Sequence, residues 1–236
     1  MMKITKDILK GLVREALNES TFGSVKRRID STDMDSARTA KEFVVMSSDR
    51  AERDKPEYEG KSNKEAYQEF RALLNSMGLQ NVPLIGSWEE TDKDTGEKVR
   101  VKEQSAIIYK DPRPDMDQTD KSLFQIGMEM SEKYDQEAFI YGRLEENPKT
   151  GEMERKIRAY GQDGSEQNWG GPWSSMEAVK DDAAFWSRLR SGGSAFQFVE
   201  EGFEVHEAPN SMMEAMKISY QAKSRGKQVK FVRGDK

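Results

Sequence analysis

The sequence predicts an α+β fold, a mixed and mostly antiparallel sheet with helices packed on it, plus an N-terminal amphipathic helix. Three observations carry that prediction. The stretch from Val99 to Arg143 reads strand, helix, strand. Ser-x-x-Glu spacings at Ser62/Glu65, Ser174/Glu177 and Ser211/Glu214 have the form of helix-opening capping boxes. Short alternating runs separated by Gly, Pro and Asn turns fill most of the rest.

The central stretch is the best marked. Val99, Val101 and Ala106-Ile107-Ile108-Tyr109 form a β-branched and aromatic run that Pro112 and Pro114 end, since proline cannot donate to a ladder. Asp117 or Thr119 is placed to cap a helix whose apolar residues Leu123, Ile126, Gly127, Met130 and Tyr134 recur every three or four positions. Ala138-Phe139-Ile140-Tyr141 returns as a strand. A right-handed crossover or a split βαβ unit joins such pieces economically.

On either side the order continues. Residues 1–19 read as an amphipathic helix or leader, with Ile4, Ile8, Leu9, Leu12, Val13 and Leu17 on one side and Lys3, Lys6, Lys10 and Arg14 on another. Residues 20–41 are polar and read as a linker, including the basic cluster Lys26-Arg27-Arg28. Residues 42–236 form the α+β domain. Within it Phe43-Val44-Val45-Met46 is a strand, and the helix opened by Ser62 carries Ala66, Phe70, Leu73 and Met77 before Gly78 stops it. Val82-Pro83-Leu84-Ile85 is a strand in which Pro83 marks an edge or a start. Asp92-Lys93-Asp94-Thr95-Gly96 is a hairpin turn, because it lacks the ligand set of a calcium loop.

Beyond Tyr141, Met153, Arg155, Ile157 and Ala159 alternate as an antiparallel return. Trp169 and Trp173 bracket Gly170-Gly171-Pro172, where they either stack on a ligand or anchor the loop to the core. Met176, Val179, Ala183, Trp186 and Leu189 follow Ser174 at helical spacing. Phe196 and Phe198 begin a strand, and Phe203 with Val205 continues it as a hairpin. Met212, Ala215, Met216 and Tyr220 line a last helix before the strand Val229-Lys230-Phe231-Val232.

Composition narrows the chemistry. The 236 residues include 43 acidic and 38 basic side chains, a net charge of −5, no cysteine and one histidine, His206. Disulfides, thiolate catalysis and ordinary zinc sites are therefore excluded, and no cofactor is expected. Mean hydropathy is −0.90, and no apolar run approaches the roughly 20 residues of a membrane span. Charged residues through the first fifteen positions interrupt any secretory signal, so host cytoplasm or virion is the expected location. The excess of acid argues against general affinity for nucleic acid, but Lys217, Lys223, Arg225, Lys227, Lys230 and Arg233 make the C-terminal end a local candidate for phosphate contact.

Two resemblances add a setting. Leu17-Asn18-Glu19 before Ser20 resembles the Leu-x-Glu/small-residue site cut by T-even-type prohead proteases, which implies a leader that directs the protein into a prohead. Residues 43–143 resemble a family of small bacterial and phage domains of unknown function. The likeness runs through Ser62-Asn63, Met77-Gly78-Leu79, Val82 to Trp88, Glu103-Gln104-Ser105 and Met130 to Ala138. The family usually has glycine where this chain has Asp135. The resemblance implies a compact α/β fold and a phage or bacterial setting, with no catalytic roles.

Asn63, Glu103, Ser105 and Gln136 fall at the ends of predicted elements, where side chains converge on a ligand or serve as caps. With Trp169 and Trp173 they are the candidate binding residues; Leu17, Glu19 and Ser20 are the candidate processing site. The expected function is that of a phage-encoded accessory protein, non-enzymatic, bound to a capsid protein or another virion component. The alternatives are a small metal- or carboxylate-dependent enzyme and a nucleic-acid-binding module using the basic C-terminal end.

Overall fold

The computed structural model describes residues 22–36, 38–50, 53, 59–91, 96, 98–110, 118–168, 171–179, 186–192, 194–200, 203–207, 212–224 and 228–232. The elements in order are α1 (Phe22–Asp30), β1 (Glu42–Ser47), α2 (Asn63–Ser76), β2 (Leu79–Thr91), β3 (Lys98–Lys110), α3 (Leu123–Tyr134) and β4 (Ala138–Glu146). They continue with β5 (Met153–Gly161), β6 (Ser175–Val179), β7 (Trp186–Leu189), β8 (Ala195–Val199), β9 (Phe203–Glu207), α4 (Met212–Ser224) and β10 (Gln228–Val232). This is an α+β protein. The expected helix at residues 3–19, the turn at 92–95 and Pro112, Pro114 and Asp117 lie outside the described residues.

Eight strands form one sheet in the order β5-β4-β1-β3-β2-β7-β8-β6, every pair antiparallel. β3 and β4 both flank β1 and run antiparallel to it, with Val44 opposite Ile108 on one side and Tyr141 on the other. The strand, helix, strand stretch is therefore a split βαβ unit. Pro83 lies at the last rung of the β2–β7 pairing, one residue beyond Leu84↔Leu189, where its carbonyl accepts from the Arg190 N–H at 2.9 Å. With no N–H to return that bond, the proline ends the ladder with β7 at this point.

The two faces of the sheet carry separate cores. On one, Phe70 and Leu74 of α2 and Leu123, Ile126, Met130 and Tyr134 of α3 pack on Val44, Ala106, Ile108 and Phe139. Gly127 lets α3 approach closely, since a Cβ there would stand 2.5 Å from the Phe139 ring. Glu69 of α2 ties the two helices together by an ion pair to Lys133 of α3 at 2.9 Å, and it also pairs with Lys61 just ahead of α2. Those two hydrogen bonds hold its carboxyl down at about 2.

On the other face, Phe43, Ile107, Ile157, Met176, Leu189, Phe196 and Phe198 converge from seven of the strands with Leu84. The sheet curls around them almost into a barrel. Its two formal edges meet at Trp173, which exchanges backbone hydrogen bonds with Ile157 of β5 at 2.8 and 3.0 Å immediately before β6 begins. α1 plugs this interior with Val25 and Ile29.

Several sequence expectations are corrected here. Residues 22–30 are a docked helix, not part of a linker, and Thr39 and Ala40 are buried as well. Lys26 pairs with Asp30 at 2.5 Å and Glu177 at 3.2 Å and donates to the Met176 carbonyl, so it is committed to holding α1 on β6. Burial pushes its ammonium down, but Asp30 and Glu177 outweigh that and hold it above its usual value. Burial raises the Asp30 carboxyl above its usual value, and Lys26 and, less strongly, the Met176 N–H 2.9 Å from Oδ1 oppose that rise. Arg28 lies over the Tyr109 ring, 4.9 Å from its centroid.

The helix expected from Ser174 to Leu189 is not formed among the described residues of that span. Residues 175–179 and 186–189 are strands, and Met176 spends its apolar side chain on the barrel interior, where cross-sheet packing overrides the capping-box spacing. Nor does β9 form a hairpin with β8. It pairs in parallel with β10, Val205 opposite Lys230, and α4 supplies the crossover that parallel strands require. Finally, α3 is capped by Ser122, whose side chain accepts from the Gln125 N–H while the Gln125 side chain returns the bond, and not by Thr119.

Candidate functional site

β1 stops pairing with β3 at Ser47↔Ser105, and two side chains take over where the ladder ends. Ser47 Oγ donates to the Gln104 carbonyl at 2.8 Å, and Asp49 Oδ2 accepts from the Gln104 N–H at 2.7 Å. Ser47 Oγ also accepts from the Asp49 N–H at 2.9 Å, which locks the turn. The next residue is held in the same manner: Asn63, in the first turn of α2, accepts from the Arg50 N–H at 2.8 Å and donates to the Arg50 carbonyl at 2.9 Å. Gln136 Nε2 donates to the Asp49 carbonyl at 2.9 Å. Backbone groups of a buried segment must be paired somewhere, and here side chains from α2 and the α3–β4 turn do it.

Four of the sequence candidates thus gather at one end of the sheet. Asn63 and Gln136 clasp residues 49 and 50, Ser105 closes the β1 ladder and accepts from Tyr67 through its carbonyl at 3.1 Å, and Glu103 lies two residues further along β3. Beside the clasp is a cleft of about 310 Å³. Asp49, Asn63, Glu103 and Gln104 line it together with Ile85, Lys102 and Arg190. The two carboxylates are buried, Asp49 at 6% and Glu103 at 9% exposure, while Lys102 and Arg190 are exposed. Arg190 Nη1 donates to Gln104 Oε1 at 3.2 Å, and its guanidinium lies 5.9 Å from the Tyr67 ring centroid.

The remaining candidates go elsewhere. Trp173 closes the sheet and packs on Phe198, ring centroids 6.3 Å apart, so it anchors its loop. Trp169, Leu17, Glu19, Ser20, Arg225, Lys227 and Arg233 lie outside the described residues. Lys217 and Lys223 are exposed on α4. Asp49, Lys102 and Arg190 escape sequence reasoning. The polar triplet Ser47-Ser48-Asp49 straight after an apolar strand is a usable signal for the first. Nothing marks Arg190, which follows a strand that helical spacing disguises.

Apart from the cleft, α4 stands out. Met212, Met213, Met216 and Tyr220 are 82%, 82%, 64% and 77% exposed, so most of the apolar stripe read along this helix faces outward. Ala215 and Ile218 are half-buried instead. Among the described residues no group of three or more His, Asp or Glu side chains is gathered for a metal, and no helix is long and apolar enough to cross a membrane.

Fold and site together define an α+β protein whose antiparallel sheet is curled almost shut, with a polar cleft of mixed charge at the end of its central strands. Comparison with protein-family models, curated proteins and solved structures finds no match.

Proposed function

We propose that this is an accessory protein of a phage or its bacterial host that acts by binding another protein. One observation carries the reading: four large apolar side chains stand at 64% exposure or more on a single helix, and contiguous apolar surface of that kind marks association sites. Methionine suits such a surface because its unbranched, polarisable side chain adapts to a partner. Lys217 and Lys223, exposed on the same helix, favour a partner face that is apolar at the centre and acidic at the rim. The resemblances over residues 43–143 and at Leu17, Glu19 and Ser20 support the phage setting and a virion component as the partner.

The test is photo-crosslinking from positions 213 and 216 in the producing cell, followed by reconstitution with the purified protein so linked. Met213→Ser with Met216→Ser should weaken that complex by about tenfold or more, about 1.4 kcal/mol, at an unchanged melting temperature. Unchanged affinity, or links to nucleic acid alone, would sink the reading. The cleft favours a second reading, a carboxylate-dependent enzyme, through the buried Asp49 on its lining.

A further inference from the structure

We infer that α1 guards the open edge of β6, and that the edge it covers pairs with the same edge of a second copy of this chain once α1 leaves it. This goes beyond the protein-binding reading, which rests on α4. β6 is the last strand of the eight, and its seam with β5 holds through one bridge, Ile157↔Trp173, just before β6 begins. From Met176 onward no strand among the described residues lies beside its outer edge. Side chains of α1 take that place. Lys26 Nζ donates to the Met176 carbonyl, and Asp30 Oδ1 accepts from the Met176 N–H at 2.9 Å. Two charged side chains thus occupy the acceptor and the donor that a neighbouring strand would use.

β6 itself, Ser175 to Val179, carries neither the lysine nor the proline that commonly keeps an edge strand from pairing. Its one charge, Glu177, is spent on Lys26 at 3.2 Å. Protection of the edge therefore comes from α1. That helix is lightly held: Val25 and Ile29 are its buried residues, and water can replace the two side chains bonded to Met176. Arg155 of β5 donates to the carbonyls of Ser31 and Lys41 at 3.1 and 3.2 Å, which ties the chain after α1 to the sheet and puts the pivot at the end of the helix. A second copy fits the bared edge because a two-fold axis beside β6 sets the strand antiparallel to itself. Each strand's donors then face the other's acceptors, and no further complementarity is required.

The experiment is sedimentation of the full-length protein over a concentration series, the parent beside Lys26→Ala/Asp30→Ala, with circular dichroism to establish that the variant is folded. The double variant should self-associate with a Kd at least about tenfold below the parent's. Ala178 is exposed and lies two residues beyond Met176 in the strand, so its N–H points the same way. Ala178→Pro therefore removes a donor from the outer edge and spares the ladder to β8. Added to the double variant, it should return association to the parent's level. Met213→Ser with Met216→Ser should leave the association as it was, which separates this edge from the α4 surface. If the double variant does not fold, Glu177→Gln, at a half-buried position, loosens Lys26 and should raise association with the same response to Ala178→Pro. A folded variant that associates no more than the parent, even one that takes up a strand of another protein, would overturn the proposal. So would association that survives Ala178→Pro.

Discussion

Asp135 is the one non-glycine residue with positive φ among the described residues, at +55°, and it ends α3 in the left-handed conformation. A Cβ there costs roughly 1 kcal/mol relative to glycine. Two local compensations keep the aspartate: its carboxylate pairs with Arg50, and its carbonyl accepts from the same guanidinium. The carboxylate is 74% exposed, so the pair contributes little. Asp135→Gly should therefore melt at or above the parent, while Asp135→Ala, which keeps the strain and loses the pair, should be less stable than the glycine variant by about 1 kcal/mol. Chemical denaturation of the three proteins decides it, and equal stabilities would show that the turn carries no strain. The sequence could raise this point because one residue's conformational freedom is a local property. The clasp around Asp49 was only half legible for the opposite reason: element ends suggested Asn63 and Gln136, but their shared target, residues 49 and 50, is set by pairings 13 and 87 residues apart.

The elements read correctly are those whose apolar spacing is settled by one neighbour. α2 and α3 each show a single stripe to one face of the sheet, and β3, β4 and β5 announce themselves by β-branched runs or strict alternation. The misread elements are those whose role depends on barrel closure. α1 has only two buried residues in nine, Val25 and Ile29, and its remaining polar side chains resemble a linker until β6 is placed against it. Ile29 is 1% exposed inside the second core. Ile29→Ala should cost about 2 to 4 kcal/mol by transfer and cavity terms together. A flexible arm would not register the change, so a denaturation midpoint equal to the parent's would restore the linker reading.

At the scale of the molecule the sheet is open in strand order and closed in hydrogen bonding. β5 and β6 are the ends of the eight-strand series, yet Ile157 and Trp173 exchange both of their backbone bonds across the seam. β9, α4 and β10 form a separate parallel unit whose strands pair only with each other among the described residues. Amide exchange distinguishes these regions, because an amide is protected to the extent that opening it breaks a cooperative unit. The Ile157 amide lies between β4 and the seam at 0% side-chain exposure, and the Trp173 amide faces it under a ring packed on Phe198. Both should exchange as slowly as Val44 and Ile107 at the centre of the sheet, whereas amides of α4, under a surface of exposed methionines, should exchange orders of magnitude sooner. Trp173 exchanging on the timescale of α4 would mean that the edges part in solution and the sheet is open. Slow exchange at Trp173 in native protein that becomes fast in Phe198→Ala, while Val44 stays protected, would locate the closing force in that aromatic contact.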